Sequence, residues 1–197
     1  MTKGKTFIIS GPSGVGKSTV LHELFRGRDD LYFSISATTR APREGEVDGV
    51  HYHFIDVKRF QELIEEDALL EYAEYVGNFY GTPKKFVDKA MNEGKDVVLD
   101  IEVQGAIQVC NKRPETVRIF IAPPSWEELE RRLVSRGTDS EEKIQKRLVR
   151  AKAELRTADV YDYFVINDTV DRAVREVNAI MLAEHCKPAE RMKILSE

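Results

Sequence analysis

Only two of the 197 residues are cysteine, Cys110 and Cys186, and they form neither a CxxC pair nor any metal-type spacing. That argues against a disulfide framework and against a zinc cluster, and points to two thiols in a reducing compartment, the cytosol. Long hydrophobic runs are missing too. Nothing approaches the roughly 18 apolar residues of a membrane-spanning helix, and the opening stretch MTKGKTFIIS has no small-residue cleavage pattern. Neither a signal peptide nor a membrane partner is expected. A positive surplus is absent: the net charge is −4, the wrong sign for a protein that coats nucleic acid. There are no internal repeats or low-complexity stretches. What remains, 42% hydrophobic and 32% charged, is the composition of a globular domain with one core.

Short apolar runs alternate with helical patterns. Residues 6–10, 96–101, 117–122 and 163–166 read as buried strands, because near-continuous apolar character suits a parallel sheet covered on both faces. Residues 17–26, 83–93, 103–112, 125–136, 141–157 and 170–185 read as helices, which makes the chain α/β. Residues 34–82 break the rhythm. "SISATT", "HYHFI" and "LLEYAEYV" alternate apolar and polar residues, as half-exposed antiparallel strands do, around a helix at about 57–66. This reads as a small inserted α/β subdomain. A second insertion, 125–157, consists of two charged helices around "SRGTDSEE". Thr138 and Asp139, each three residues before Glu141 and Glu142, offer capping boxes for the second helix, and Glu127–Arg131 and Glu128–Arg132 are spaced as i,i+4 pairs.

Residues 11–18, GPSGVGKS, match G-x-x-x-x-G-K-[ST] between a buried strand and a helix. Gly11, Gly14 and Gly16 let the loop, with Pro12, Ser13 and Val15 between them, turn its backbone N–H groups around a polyphosphate. Lys17 can reach the β and γ oxygens of ATP, Ser18 offers a hydroxyl to Mg²⁺, and the helix entered at Ser18 and Thr19 adds its dipole. The strand 96–100, DVVLD, ends in Asp100, a second oxygen donor for Mg²⁺ through water, and alternation sets Glu102 on the same side. The base-reading N-K-x-D of GTPases does not occur; Asn111-Lys112 runs into Arg113-Pro114.

The stretch 38–52, TTRAPREGEVDGVHY, carries Arg40 and Arg43 with Glu46 and Tyr52 behind them. Two guanidinium forks can clamp one phosphate dianion; on the residues alone, a solvated loop is the simpler reading. The wider constellation resembles the guanylate kinases over about residues 4–185. The resemblance rests on "SGPSGVGKST" (10–19), "SATTRAPREGEVDGVHYHF" (36–54), "EYAEYVGNFYGTP" (71–83), "LDIEVQGA" (99–106) and "RGT…KRL…A…E" (136–154).

That resemblance implies a P-loop NTPase core (about 4–33, 83–124 and 158–185) with its parallel sheet flanked by helices, a GMP-binding insertion (34–82), a helical lid (125–157) and a tail (186–197) outside the match, expected to lack order. It implies ATP-dependent phosphorylation of GMP, and of dGMP, by a monomer or homodimer. Arg40, Arg43, Tyr52 and Tyr80 become the clamp on the acceptor phosphate, with Glu46 beside them. Ser36, Glu71, Thr82 and Glu102 become the guanine readers, since a carboxylate can accept from guanine N1–H and N2–H while adenine presents the opposite pattern. Lys17, Arg132, Arg136 and Arg147 become the groups that neutralise the transferring phosphoryl, and Asn167 and Asp168 the adenine side. Tyr75 is left to packing, and Arg150 is left out. His51-x-His53 is read as strand packing, not a metal pair, and no general base is required because the acceptor is already anionic. Two rivals stand beside this reading: a kinase of the same scaffold for another phosphorylated acceptor, and a non-enzymatic guanylate-kinase-like binding module.

Overall fold

A computed structural model describes residues 3–135 and 140–192. The chain divides into two compact units, one made of the residues up to Thr6 with Asp30–Thr116, the other of Phe7–Asp29 with the residues from Val117 on. Each has parallel strands among those that the apolar runs foretell.

In the second unit β1 (Thr6–Ser10), β8 (Val117–Ala122) and β9 (Tyr163–Ile166) run parallel, with Phe7 opposite Val117 and Ile119 opposite Tyr163. All five residues of β1 are buried, which is why the run reads as solid rather than alternating. The helices of this unit are α1 (Lys17–Phe25), α5 (Trp126–Val134), α6 (Glu141–Leu155), α7 (Val170–His185) and the short α8 (Pro188–Arg191). Leu129, Leu133, Leu148 and Ala151 close a small core between α5 and α6. The turn α8 lies in the tail where no order is expected, a correction: Pro188 stands at its start, where a missing N–H costs nothing.

In the first unit β2 (Leu31–Phe33) lies parallel to β7 (Asp96–Asp100). A separate four-stranded sheet has the order β4-β3-β6-β5, from β3 (Ala37–Thr38), β4 (His53–Phe54), β5 (Leu69–Tyr75) and β6 (Asn78–Pro83). Helices α2 (Val57–Glu65), α3 (Lys84–Asn92) and α4 (Val103–Lys112) complete it. Phe60 of α2 packs with Ala37 and Leu69, and Phe79 covers them. Asp56 caps α2 by accepting from the Arg59 N–H at 2.7 Å.

Several local expectations are corrected. Strands β2 and β6 carry no pattern we recognise beforehand. The pair β3–β4 is parallel, not antiparallel. Strand β5 does not alternate: Leu69, Leu70 and Glu71 are buried in succession and the rest is exposed. Tyr75, expected in the core, is 59% exposed. The cap of α6 is Ser140, which accepts from the Lys143 N–H at 3.4 Å; Thr138 and Asp139 lie outside the described residues. On α5, Glu128 takes both Arg131 and Arg132, and Arg131 is not held by Glu127. His53 stacks on Phe86 at 4.4 Å, but His51 is exposed in the turn and its Nδ1 accepts from the Val47 N–H.

Candidate functional site

The second unit carries the glycine-rich loop of residues 11–18. Gly14 and Gly16 have φ of +91° and +90°, the left-handed region where a side chain is strained. A Cβ on Gly14 would stand 2.6 Å from Cδ2 of Leu133, so packing against α5 also demands glycine there. The loop is braced from behind. Buried Asn167 donates from Nδ2 to the Val15 carbonyl at 2.8 Å, and Arg132 Nη1 donates to the same oxygen at 3.0 Å. Arg132 also reaches the Asn167 carbonyl (3.0 Å) and Glu128 (2.7 Å). From α6, Arg147 places Nε and Nη2 at 3.0 and 2.9 Å from Ser13 Oγ. Glu154 on the same helix accepts from the Ser13 N–H at 3.3 Å and from Arg150.

Arg132 and Arg147 therefore both meet the loop, whereas Arg136 lies outside the described residues. Asp168 is exposed and pairs with Arg172 at 2.9 Å. Glu154, the last residue of the segment 136–154 that carries the resemblance, is given no role by it; its spacing from Arg147 and Arg150 puts the three on one helix face, which was the available signal. Lys17 and Ser18 open α1, with Gly16 before them as its left-handed entry.

The first unit carries a second cluster. Arg40 donates to both oxygens of Glu46 (3.0 and 2.9 Å) and to the Ala41 carbonyl, and its guanidinium sits 5.4 Å from the Tyr52 ring centroid. Tyr52 meets Tyr80 edge-on at 6.0 Å. Glu46 also accepts from the Arg43 N–H at 2.7 Å, and Arg40 first, then Arg43, hold its carboxyl at about 2. Glu46 is thus occupied with the loop itself: it shapes the turn that presents Arg40 and Arg43. The Arg43 side chain is exposed.

Beyond this cluster, Glu71 is 6% exposed and accepts from Thr82 Oγ1 at 2.6 Å, with Thr82 itself buried. Burial pushes the Glu71 carboxyl above its ordinary value near 4.5, the Thr82 hydrogen bonds partly offset this, and the negative charge of Glu102 adds to the rise. The donors to this carboxylate come from Thr82, through its side chain and its backbone. Ser36 precedes β3 and is half-buried. Asp100 ends β7 exposed, Ile101 is buried, and Glu102 is exposed as the residue before α4.

Two local arrangements result: in the second unit a glycine-rich loop braced by arginines, and in the first unit a buried carboxylate on the one hand and a preset arginine with two tyrosines on the other. Comparison with known proteins bears on both. A family model described as "Guanylate kinase" matches residues 3–184. A guanylate kinase from Bacillus anthracis is 53% identical over 196 residues, covering 99% of this chain and 96% of its own. One from Thermus thermophilus is 54% identical over 182 residues, 92% of this chain and 82% of its own. Among solved structures, guanylate kinase from Anaplasma phagocytophilum superposes with a TM-score of 0.75 at 34% identity, covering 96% of this chain and 90% of that one. Among the described residues no helix is long and apolar enough to cross a membrane.

Proposed function

Because the chain belongs to the guanylate kinase family, we infer that it transfers the γ-phosphoryl group of ATP to GMP, giving ADP and GDP. The observation that carries the reading at the level of this chain's own residues is Glu71: a buried carboxylate, costly to keep charged, is an acceptor that the N1–H and N2–H edge of guanine suits. Thr82 holds the carboxylate, and Ser36 and Glu102 complete the base contacts. AMP, with the opposite pattern, would leave these groups unpaired.

Arg40, Arg43, Tyr52 and Tyr80 grip the acceptor phosphate, and Glu46 sets Arg40 and Arg43. The loop Gly11–Ser18, with Thr19, cradles the ATP phosphates. Lys17, Arg132 and Arg147, with Arg136, gather the charge that spreads over the transferring group. Asn167 and Asp168 face the adenine side, Asn167 also bracing the loop. Ser18 and Asp100 offer the hard oxygen donors that suit Mg²⁺ carried in with ATP, whose contribution is to neutralise phosphate charge. The bond from the terminal phosphorus to the β-phosphate oxygen breaks, that oxygen keeping the electron pair, as a bond to a GMP phosphate oxygen forms. The acceptor oxygen is already anionic, so no histidine is required as base. dGMP is a second acceptor in this reading, and the cytosol its location; Cys110 and Cys186 form no disulfide.

A coupled assay of ADP formation with GMP, dGMP, AMP, CMP and UMP tests it. GMP should lead, with dGMP next; equal turnover of AMP would overturn the reading.

A further inference from the structure

Strand β5, which carries Glu71, lies at the edge of its sheet. Its pairing with β6 shifts register between Leu69 and Tyr72, so Glu71 sits in an irregular segment where the ladder alone does not define its position. The free edge is covered by a helix. The Gln108 side chain of α4 accepts from the Tyr72 N–H at 3.1 Å and donates to the Tyr72 carbonyl at 3.0 Å. A primary amide that both accepts from and donates to one residue's backbone does what a neighbouring strand would do. One turn later, Lys112 donates to the Leu69 carbonyl at 2.7 Å. One turn earlier, Gly105 lies against Glu71 so closely that a Cβ there would be 3.0 Å from Oε2. Gly105, Gln108 and Lys112 share one helix face, and together they bind β5 on both sides of Glu71. The same helix begins just after Glu102, whose charge Glu71 feels.

We propose that α4 is a surrogate edge strand, and that Gln108 is a positioning residue for guanine specificity: by filling the backbone sites of Tyr72 it holds the Glu71 carboxylate in register against Gly105 and beside Glu102. This rests on the reading of Glu71 as the guanine acceptor. Gln108 is half-buried, and its side-chain amide is engaged with the Tyr72 backbone. Its effect passes through β5.

The test compares wild type with Gln108→Met, Gly105→Ala, Glu71→Gln and the Gln108→Met/Glu71→Gln double variant. It reads KM for GMP and ATP, the kcat/KM ratio of GMP over inosine monophosphate (which lacks the 2-amino group), and Tm. Methionine keeps the length and helix propensity of glutamine. Loss of two hydrogen bonds should raise GMP KM about tenfold, leave ATP KM unchanged and lower the GMP preference. Gly105→Ala should raise GMP KM without lowering Tm, because alanine favours the helix while its methyl displaces the carboxylate. In the Glu71→Gln background, adding Gln108→Met should have almost no further effect on GMP KM. A Gln108→Met protein with lower Tm but unaltered GMP KM and preference would reduce Gln108 to a structural role. An undiminished effect in the Glu71→Gln background would also overturn the proposal. If Glu71→Gln alone leaves GMP KM and preference intact, the guanine-acceptor reading itself falls, and the proposal with it.

Discussion

Replacing Thr82 by valine removes one hydroxyl from the molecule and little else. Valine has nearly the same shape and suits β6 as well as threonine does. The hydroxyl donates to Glu71 Oε1 at 2.6 Å, both groups are buried, and the acceptor is a carboxylate whose pKa burial already raises. A hydrogen bond to a charged group contributes about 1.5–3 kcal/mol, and a loss near 2 kcal/mol lowers Tm by about 4–8 °C in a chain of this size.

The pH dependence makes the prediction specific. A raised carboxyl pKa means the native state binds its proton more tightly than the unfolded chain does. This contribution to stability is complete below the unfolded value near 4.5 and is lost as pH rises through the folded pKa. Removing the hydroxyl lifts the folded pKa further, so the deficit of Thr82→Val is largest at neutral pH and shrinks as the pH is lowered through that window. Paired thermal melts of wild type and variant from pH 7.5 down to 5 would measure it. A Tm difference that stays constant over that range would refute the claim that the hydroxyl supports an ionised, buried Glu71.

Lys17→Ala should cost at least about 10²-fold in turnover with unchanged circular dichroism, and near-normal GDP formation would remove Lys17 from the phosphate site. Asn167→Ala deletes the 2.8 Å brace on the Val15 carbonyl while Arg132 still holds that oxygen. ATP KM should therefore rise about five- to tenfold with GMP KM unmoved, and a selective rise in GMP KM would contradict this assignment. Val76 occupies φ +50° at the β5–β6 turn and is 79% exposed, so it pays backbone strain with no packing return. Val76→Asn, which makes the turn Asn-Gly, should stabilise by about 0.5–1 kcal/mol and leave kcat alone; a lower Tm would show that Val76 makes an unrecognised contact.

The strands β1 and β8 and the helix α7 were legible because their apolar patterns are long and unbroken by glycine or proline. Strand β6 was hidden for the opposite reason: Asn78, Gly81 and Pro83 read as a loop, and only pairing with β3 and β5 makes NFYGTP a strand. Strand β2 is three residues long and merges into the following polar stretch. Motif spacing marked out residues 11–18 and the arginines of 38–52, but could not distinguish a ligand from a brace. Glu46 holds Arg40, and Asn167 holds Val15, through contacts that have no periodicity. The burial of Glu71 was invisible in "LLEYAEYV", where a charge after two leucines looks like the exposed phase of a strand. Gln108 on Tyr72 is a tertiary contact that no local rule encodes.

The most direct test of the account is GMP phosphorylation by Glu71→Gln. An amide of the same shape has one acceptor oxygen where the carboxylate has two, and it adds a donor facing guanine's own. The account predicts a fall in kcat/KM for GMP of about 10²-fold, an unchanged KM for ATP, and a native state at neutral pH at least as stable as wild type, since a buried charge has been removed. Unchanged GMP kinetics in a folded Glu71→Gln protein would contradict it.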